Sequence, residues 1–256
     1  MSRVVGGRRA VTEAIRAGDA VEVLVFGSAK QTPGMRAVLE AAEKAGLAVH
    51  QASRDLLDSL APDNQGVVAR IRVPIRVKEM TERDLATFPF ALDALVVVLD
   101  GISDPQNLGA AARSAEAAGS AMLVSRTVRA ADVTPAAIRA SAGALFHLPH
   151  ARVANIPRAI ERLKKAGFFV VGLAGEADRT IYDEPCPPGR IAIVIGSEGE
   201  GMSRLARERC DWLVSIPMLG RTGSLNASAS LAAALFGYVL PLRVQTAGQN
   251  RPHAAE

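Results

Sequence analysis

Aromatic residues are scarce, 4% of 256. A core must therefore be built from aliphatic side chains and alanine, and a hydrophobic share of 49% is ample for one large domain or two modest ones. No apolar run approaches the roughly 18 residues a membrane span needs, and the opening stretch MSRVVGGRRAV has no apolar signal-peptide core. No membrane partner is expected. The only cysteines, Cys186 and Cys210, have neither CxxC spacing nor a histidine at ligand distance. No metal site is expected of them; they read as ordinary thiols of a reducing cytoplasm, with one disulfide left open. A Walker lysine is missing. So is a dinucleotide fingerprint, which needs GxGxxG at the first strand–helix junction and an acid about 20 residues on.

The charge excess is small, +4, but it is clustered. Arg3, Arg8 and Arg9 open the chain; Arg70, Arg72, Arg76 and Lys78 follow; Arg126, Arg129 and Arg139 surround the middle. Arginine greatly outnumbers lysine, and its planar fork suits phosphate. A solvated surface explains the same clusters, so charge alone leaves nucleic acid as one of two readings.

Strand and helix signals alternate along the chain, which predicts an α/β fold with a mostly parallel sheet. Residues 1–75 read as a small unit: helix 8–17, strand 21–27, helix 33–45 with Pro33 in its first turn, strand 47–51, a helix over 53–61 capped by Ser53, and VVARIRV as an edge strand. Residues 76–90 read as a linker with a short helix near its end. A larger unit covers 91–243. Its strands are expected at 94–101, 121–125, within 144–153, and at 168–175, 191–195 and 213–216. Its helices are expected at 108–119, 133–143 and 156–166, then a short charged helix, then a long small-residue helix from Ser224. Residues 244–256 read as a flexible polar tail.

Three loops carry candidate chemistry. In DPQNLGAAAR, Asn107 stands where a helix cap would, and Arg113 could pair with Glu116 or lie against a ligand on its alanine-lined helix. In GSEGEG, Gly196 to Gly201, glycine allows close backbone approach, and Glu198 could bind a ribose hydroxyl, orient Arg113 or cap the next helix; Ser203 is itself a cap candidate. In SLNAS, Ser224 could cap the last helix, yet Ser224 and Asn226 at the mouth of an apolar helix need hydrogen-bond partners, and a ligand is one way to supply them. Two apolar strands deliver the last two loops, and open α/β sheets bind ligands beyond the carboxyl ends of their strands.

The series Asn107-x-Gly109-x-x-x-Arg113, IAIVIGSEGEGMS and SIPMLGRTGSLNASAS resembles the three motifs of the TrmH-type RNA 2′-O-methyltransferases of the SPOUT superfamily. VVGGRRAV, DNQGVVARI and GLAGEADRTIY resemble its bacterial 23S rRNA guanosine-2′-O-methyltransferase branch, and the likeness spans roughly residues 4–240. Two stretches depart from that branch: Asn64 before Gln-Gly, and Arg221-Thr-Gly before Ser-Leu-Asn.

The resemblance implies a ribosomal-protein-like domain over 1–75 that recruits RNA, most readily rRNA. It implies a catalytic domain over 91–243 whose C-terminal segment threads a deep trefoil knot, and a homodimer in the cytoplasm. It implies S-adenosylmethionine (SAM) as cofactor, contacted by the backbones of Gly196, Ile216 and Leu225 with Ser224 and Asn226 nearby. It also implies that Arg113 activates a ribose 2′-hydroxyl, with Asn107 holding Arg113 or the ribose, Glu198 orienting Arg113, and Ser224 and Asn226 completing the site.

Overall fold

The computed structural model describes residues 3–27, 32–72, 79–183 and 185–249. Of the arginine–lysine clusters, Arg76 and Lys78 lie outside them. The chain divides into two compact units: Met1–Glu79 with Asp104–Arg113 and Ala131–His150, and Met80–Ser103 with Ser114–Ala130 and Ala151–Glu256.

The first unit holds a four-stranded sheet. Its elements are β1 (Arg3–Gly6), α1 (Arg8–Arg16), β2 (Ala20–Phe26), α2 (Pro33–Lys44), β3 (Val49–Ala52), α3 (Arg54–Leu60) and β4 (Val67–Ile71). The strand order is β1-β4-β2-β3, with β4 antiparallel to both neighbours and β2 parallel to β3. Two expectations fail here. The strand β4 is internal, not an edge: its pairing with β1 buries Val67, Val68 and Ala69 together, so only Arg70 shows the alternation an edge strand would have. The strand β1 is unforeseen because only Val4 and Val5 precede the glycine pair, too short a run to show a period.

Local signals otherwise set the boundaries as read. Ala10, Val11, Ala14 and Ile15 make the buried stripe of α1. Thr32 caps α2 ahead of Pro33, and Ser53 Oγ accepts from Leu56 N at 3.2 Å at the start of α3. Asn64 is buried and fully used: its Nδ2 donates to Asp58 Oδ1 at 2.6 Å and to Ala61 O at 3.0 Å, while its Oδ1 accepts from Gly66 N at 2.8 Å. The departure at this position is thus a turn staple between α3 and β4.

The remaining elements are β5 (Glu79–Met80), α4 (Glu82–Thr87), β6 (Leu95–Asp100), α5 (Pro105–Ala117), β7 (Met122–Arg126), α6 (Pro135–Ala140), a 3-10 turn (Ala144–Phe146), β8 (His150–Val153), α7 (Ile156–Lys165), β9 (Phe169–Leu173), β10 (Ile191–Gly196), α8 (Arg204–Arg209), β11 (Trp212–Val214), α9 (Ala227–Ala234), a π-helical stretch (Leu235–Val239) and α10 (Leu240–Gln249). The second sheet runs β11-β9-β10-β6-β7-β8-β5, and the pairs β11/β9, β9/β10, β10/β6 and β6/β7 are all parallel. Every residue of β6 and β10 is buried, as expected of strands covered on both faces. Each such Val, Leu or Ile stabilises the fold by about 1.5–3 kcal/mol relative to an exposed position.

Several boundaries move. The stretch 79–80, expected as linker, is strand. The helix expected over 133–143 stops at Ala140, and Gly143, at φ +92°, starts the 3-10 turn that takes part of the expected strand. The last helix starts later than Ser224, at Ala227, and continues to Gln249, well into the expected tail; residues 250–256 lie outside the described ones. Its segment Ala227–Val244 has a mean hydropathy of 1.4, so by length and composition it meets the test for a membrane span, contrary to the sequence expectation. Leu231, Ala234, Leu235, Tyr238 and Val239 are buried inside the protein, but only 33% of the segment is.

Candidate active site

The three strands β9, β10 and β11 run parallel, so their carboxyl ends open on the same side. A cavity of about 570 Å³ lies there, a normal size for a small-molecule site. Gly196, Glu198, Ile216, Ser224 and Leu225 all line it.

Its first wall is the loop after β10. Ser197 N donates to Gly201 O at 3.1 Å, and Gly201 N donates back to Ser197 O at 3.0 Å. This closure is possible only because residue 196 has no side chain: a Cβ there would sit 1.9 Å from the carbonyl carbon of Gly201. Gly199 and Gly201 take φ of +87° and +67°. The far end of the loop is pinned by Asp100, buried at the end of β6, whose Oδ2 accepts from Ser203 N at 2.7 Å. Ser203 does occupy the position before α8, but its side chain makes no capping bond.

The second wall follows β11. Val214 and Ser215 are buried, and Ser215 is stitched to the strap after β9: Ser215 N donates to Arg179 O at 2.8 Å and Ile181 N donates to Ser215 O at 2.9 Å. From Leu219 the chain is exposed as far as Asn226, which caps α9 by accepting from Ser228 N at 2.9 Å. Asn226, not Ser224, is therefore the cap, and Ser224 stays in the loop that lines the cavity.

The two walls meet. Asn226 Nδ2 donates to Glu198 Oε2 at 3.1 Å. This contact is not among the roles read for Glu198 from the sequence: it joins the two glycine-containing loops. Asn226 thus has the polar partner that its place at a helix mouth requires.

The charge of the cavity is uneven. Three carboxylates, Glu176, Glu198 and Glu200, and a single guanidinium, Arg207, line it. Its apolar surface comes from Leu173, Ile195, Val214, Ile216 and Leu225, with backbone amides and carbonyls of the loops between them. Apolar side chains for a nucleoside and three carboxylates for a cationic sulfonium and ammonium make a donor set that SAM suits. The thiols take no part in it. Burial pushes Cys186 and Cys210 up to about 12, and Asp211 adds to the rise at Cys210; among the described residues no group of His, Cys, Asp and Glu could hold a metal ion.

Asn107 and Arg113 lie on α5, in the part of that helix that belongs to the first unit. Asn107 is not the cap: Asp104 is, with Oδ1 accepting from Gln106 N and its carbonyl from Leu108 N, each at 3.0 Å. The helix starts at Pro105 because proline at an early helical position loses no bond. Ala111, Ala112 and Ala115 are buried, while Arg113 and Glu116 are exposed, and among the described residues they form no ion pair. Gly109 sets how closely α5 meets α6, since a Cβ there would lie 2.2 Å from Ala137 O.

Sequence reasoning missed Asp100, Glu176 and Arg207. An acid closing an apolar strand was a visible signal for Asp100; Glu176 lies within the family-like stretch GLAGEADRTIY, and Arg207 sits in a charged stretch with no distinguishing pattern.

Comparison with known proteins agrees with this geometry. Residues 94–236 match the SpoU rRNA Methylase family, and residues 4–74 match the model described as RNA 2′-O ribose methyltransferase substrate binding. The 23S rRNA (guanosine-2′-O-)-methyltransferase RlmB of Escherichia coli (strain K12) is 36% identical over 240 residues, 92% of this chain and 97% of that protein. The protein of the same description from Yersinia pestis is 41% identical over 200 residues, 77% of this chain and 80% of that one. The crystal structure of the SpoU methyltransferase AviRb from Streptomyces viridochromogenes in complex with AdoMet superposes with a TM-score of 0.72 at 29% identity, covering 94% of this chain and 90% of that one. The chain belongs to the SpoU rRNA methylase family.

Proposed function

We propose that this protein transfers a methyl group from SAM to the 2′-hydroxyl of a guanosine ribose in 23S rRNA. The observation that carries this reading is the joining of the two loops by Asn226 and Glu198 around one acid-rimmed cavity at the strand ends.

When bound, SAM supplies an electrophilic methyl on a positively charged sulfur. In the transfer the ribose 2′-oxygen would bond to that methyl carbon as its bond to sulfur breaks, and the hydroxyl proton would pass to solvent water. The chain's part is binding and electrostatics. Backbones of Gly196, Ile216 and Leu225, with Ser224 and Asn226, hold the cofactor. Glu198 fixes the loop pair. Arg113 acts as a cation beside the 2′-oxygen: it lowers the hydroxyl's pKa and stabilises the developing negative charge. A guanidinium rarely gives up its own proton, so it is assigned this electrostatic role. Asn107 positions Arg113 or the ribose.

Residues 1–75 recruit the RNA, residues 76–90 connect, and residues 91–243 carry the catalytic domain; matches at 4–74 and 94–236 support the division. Exposed Arg9, Arg70 and Arg72 in the first region suit a phosphate backbone. The same reading includes a trefoil knot in the C-terminal segment, a homodimer and action in the cytoplasm. Exposed Phe236 and Val244 on the last helix support a second subunit.

Incubation with tritiated-methyl SAM and unmodified rRNA, followed by mapping of the blocked 2′-position, tests the reaction. Label on one 23S guanosine ribose is the expected result. Label on tRNA redirects the substrate, and label on no RNA leaves a non-catalytic RNA-binding protein.

A further inference from the structure

Glu176 and Arg207 come from different elements and meet at the cavity. Glu176 stands in the strap after β9, Arg207 in α8, and both line the cavity. Arg207 Nη1 donates to Glu176 Oε1, and Arg207 Nε donates to Met202 O at 3.2 Å, so the guanidinium plane is fixed at two points. The strap that carries Glu176 is fixed as well, by the bonds of Arg179 and Ile181 to Ser215 and by Arg179 lying 4.2 Å over the ring of Trp212. Among the described residues, Arg207 Nη2 and Glu176 Oε2 have no partner.

A surface ion pair of this kind contributes little to stability, because solvent screens it and ordering two side chains costs entropy. Its position in the cavity gives it a different use. The tail of SAM is an amino acid with an α-carboxylate and an α-ammonium group. Arg207 is the single cation among the lining residues and so the only charged donor for the carboxylate. Glu176 offers an acceptor for the ammonium beside it.

Resting on the SAM-dependent reading above, we propose that the Glu176–Arg207 pair is the clamp for the amino-acid end of the cofactor. The pair presents one charge-assisted donor and one acceptor to a zwitterion, and the two tethers hold both in place before binding. The nucleoside end is then held by loop backbones and apolar walls, independently of the pair.

Calorimetric titration of the full-length protein with SAM and with 5′-methylthioadenosine, which has the nucleoside and the sulfur but no amino acid, tests the clamp. In Arg207→Gln, SAM affinity is expected to fall about 10- to 100-fold, the range for a lost hydrogen bond to a charged group, while methylthioadenosine affinity stays at the wild-type value. Glu176→Gln is expected to act in the same direction with a smaller loss, and Arg207→Lys to restore part of the SAM affinity. Equal losses for both ligands would mean that the pair only shapes the fold, and unchanged SAM affinity would mean that it touches nothing; either result overturns the clamp and leaves the SAM reading standing. A wild-type protein that binds neither ligand overturns both.

Discussion

The cavity at the strand ends and the exposed flank of α5 are built on opposite plans. The cavity is closed by backbone: Gly196 has no room for a side chain, Asp100 anchors the loop from inside the sheet, and Glu198 meets Asn226 across the gap. The flank of α5 is open. Its buried side is alanine, and Arg113 projects from the other side with no ion pair to Glu116. A cavity closed by backbone is largely formed before a small molecule arrives; a site for a macromolecule can leave its charge exposed until the partner covers it. The two regions should therefore fail differently.

The largest expected separation comes from Arg113→Ala. Methyl transfer should fall by about 10²–10³-fold or more, the cost of losing one preorganised electrostatic stabiliser, with SAM affinity unchanged by calorimetry. Near-normal turnover on intact RNA would remove Arg113 from the reaction. Gly196→Ala should do the reverse. The added Cβ must push Gly201 aside, so SAM affinity should drop about 100-fold, near the upper end of overpacking costs of about 1–3 kcal/mol, while filter-binding affinity for rRNA holds. If RNA binding drops equally, the two regions are not separable.

A milder change is Asn226→Ala. It removes a helix cap and the bond to Glu198 together, and urea unfolding should show a loss of about 1–2 kcal/mol, with a several-fold loss of SAM affinity. The smallest effect concerns the thiols. Burial raises both Cys186 and Cys210 to about 12, so at pH 8 neither is a thiolate and a colorimetric thiol reagent should react only after denaturation. Rapid reaction of the native protein would show that one of them is accessible.

Much of this was readable from residues. Apolar runs at 94–101 and 191–195 announced the central strands, and Pro33 and Ser53 placed the starts of α2 and α3. The cavity was legible through Gly196 and the two loops that end parallel strands. What could not be read depended on partners distant in sequence. β4 looks like an edge until β1 pairs with it. Ser224 looks like a cap until the loop keeps it and hands the role to Asn226. Asp104 outcompetes Asn107 because the helix starts at Pro105. Glu176 and Arg207 are 31 residues apart and become a pair only when the strap folds back over β11. The family motifs were recognised as a series; periodicity alone would have given only a mostly parallel α/β sheet.

Hydrogen exchange with and without SAM, read at single-residue resolution, tests most directly whether the cavity between these two loops is the methyl-donor site. The account predicts that SAM slows exchange in residues 196–203 and 215–226 and leaves residues 3–27 and 32–72 unaltered. Protection concentrated anywhere else, with these two loops exchanging as fast as before, would contradict it.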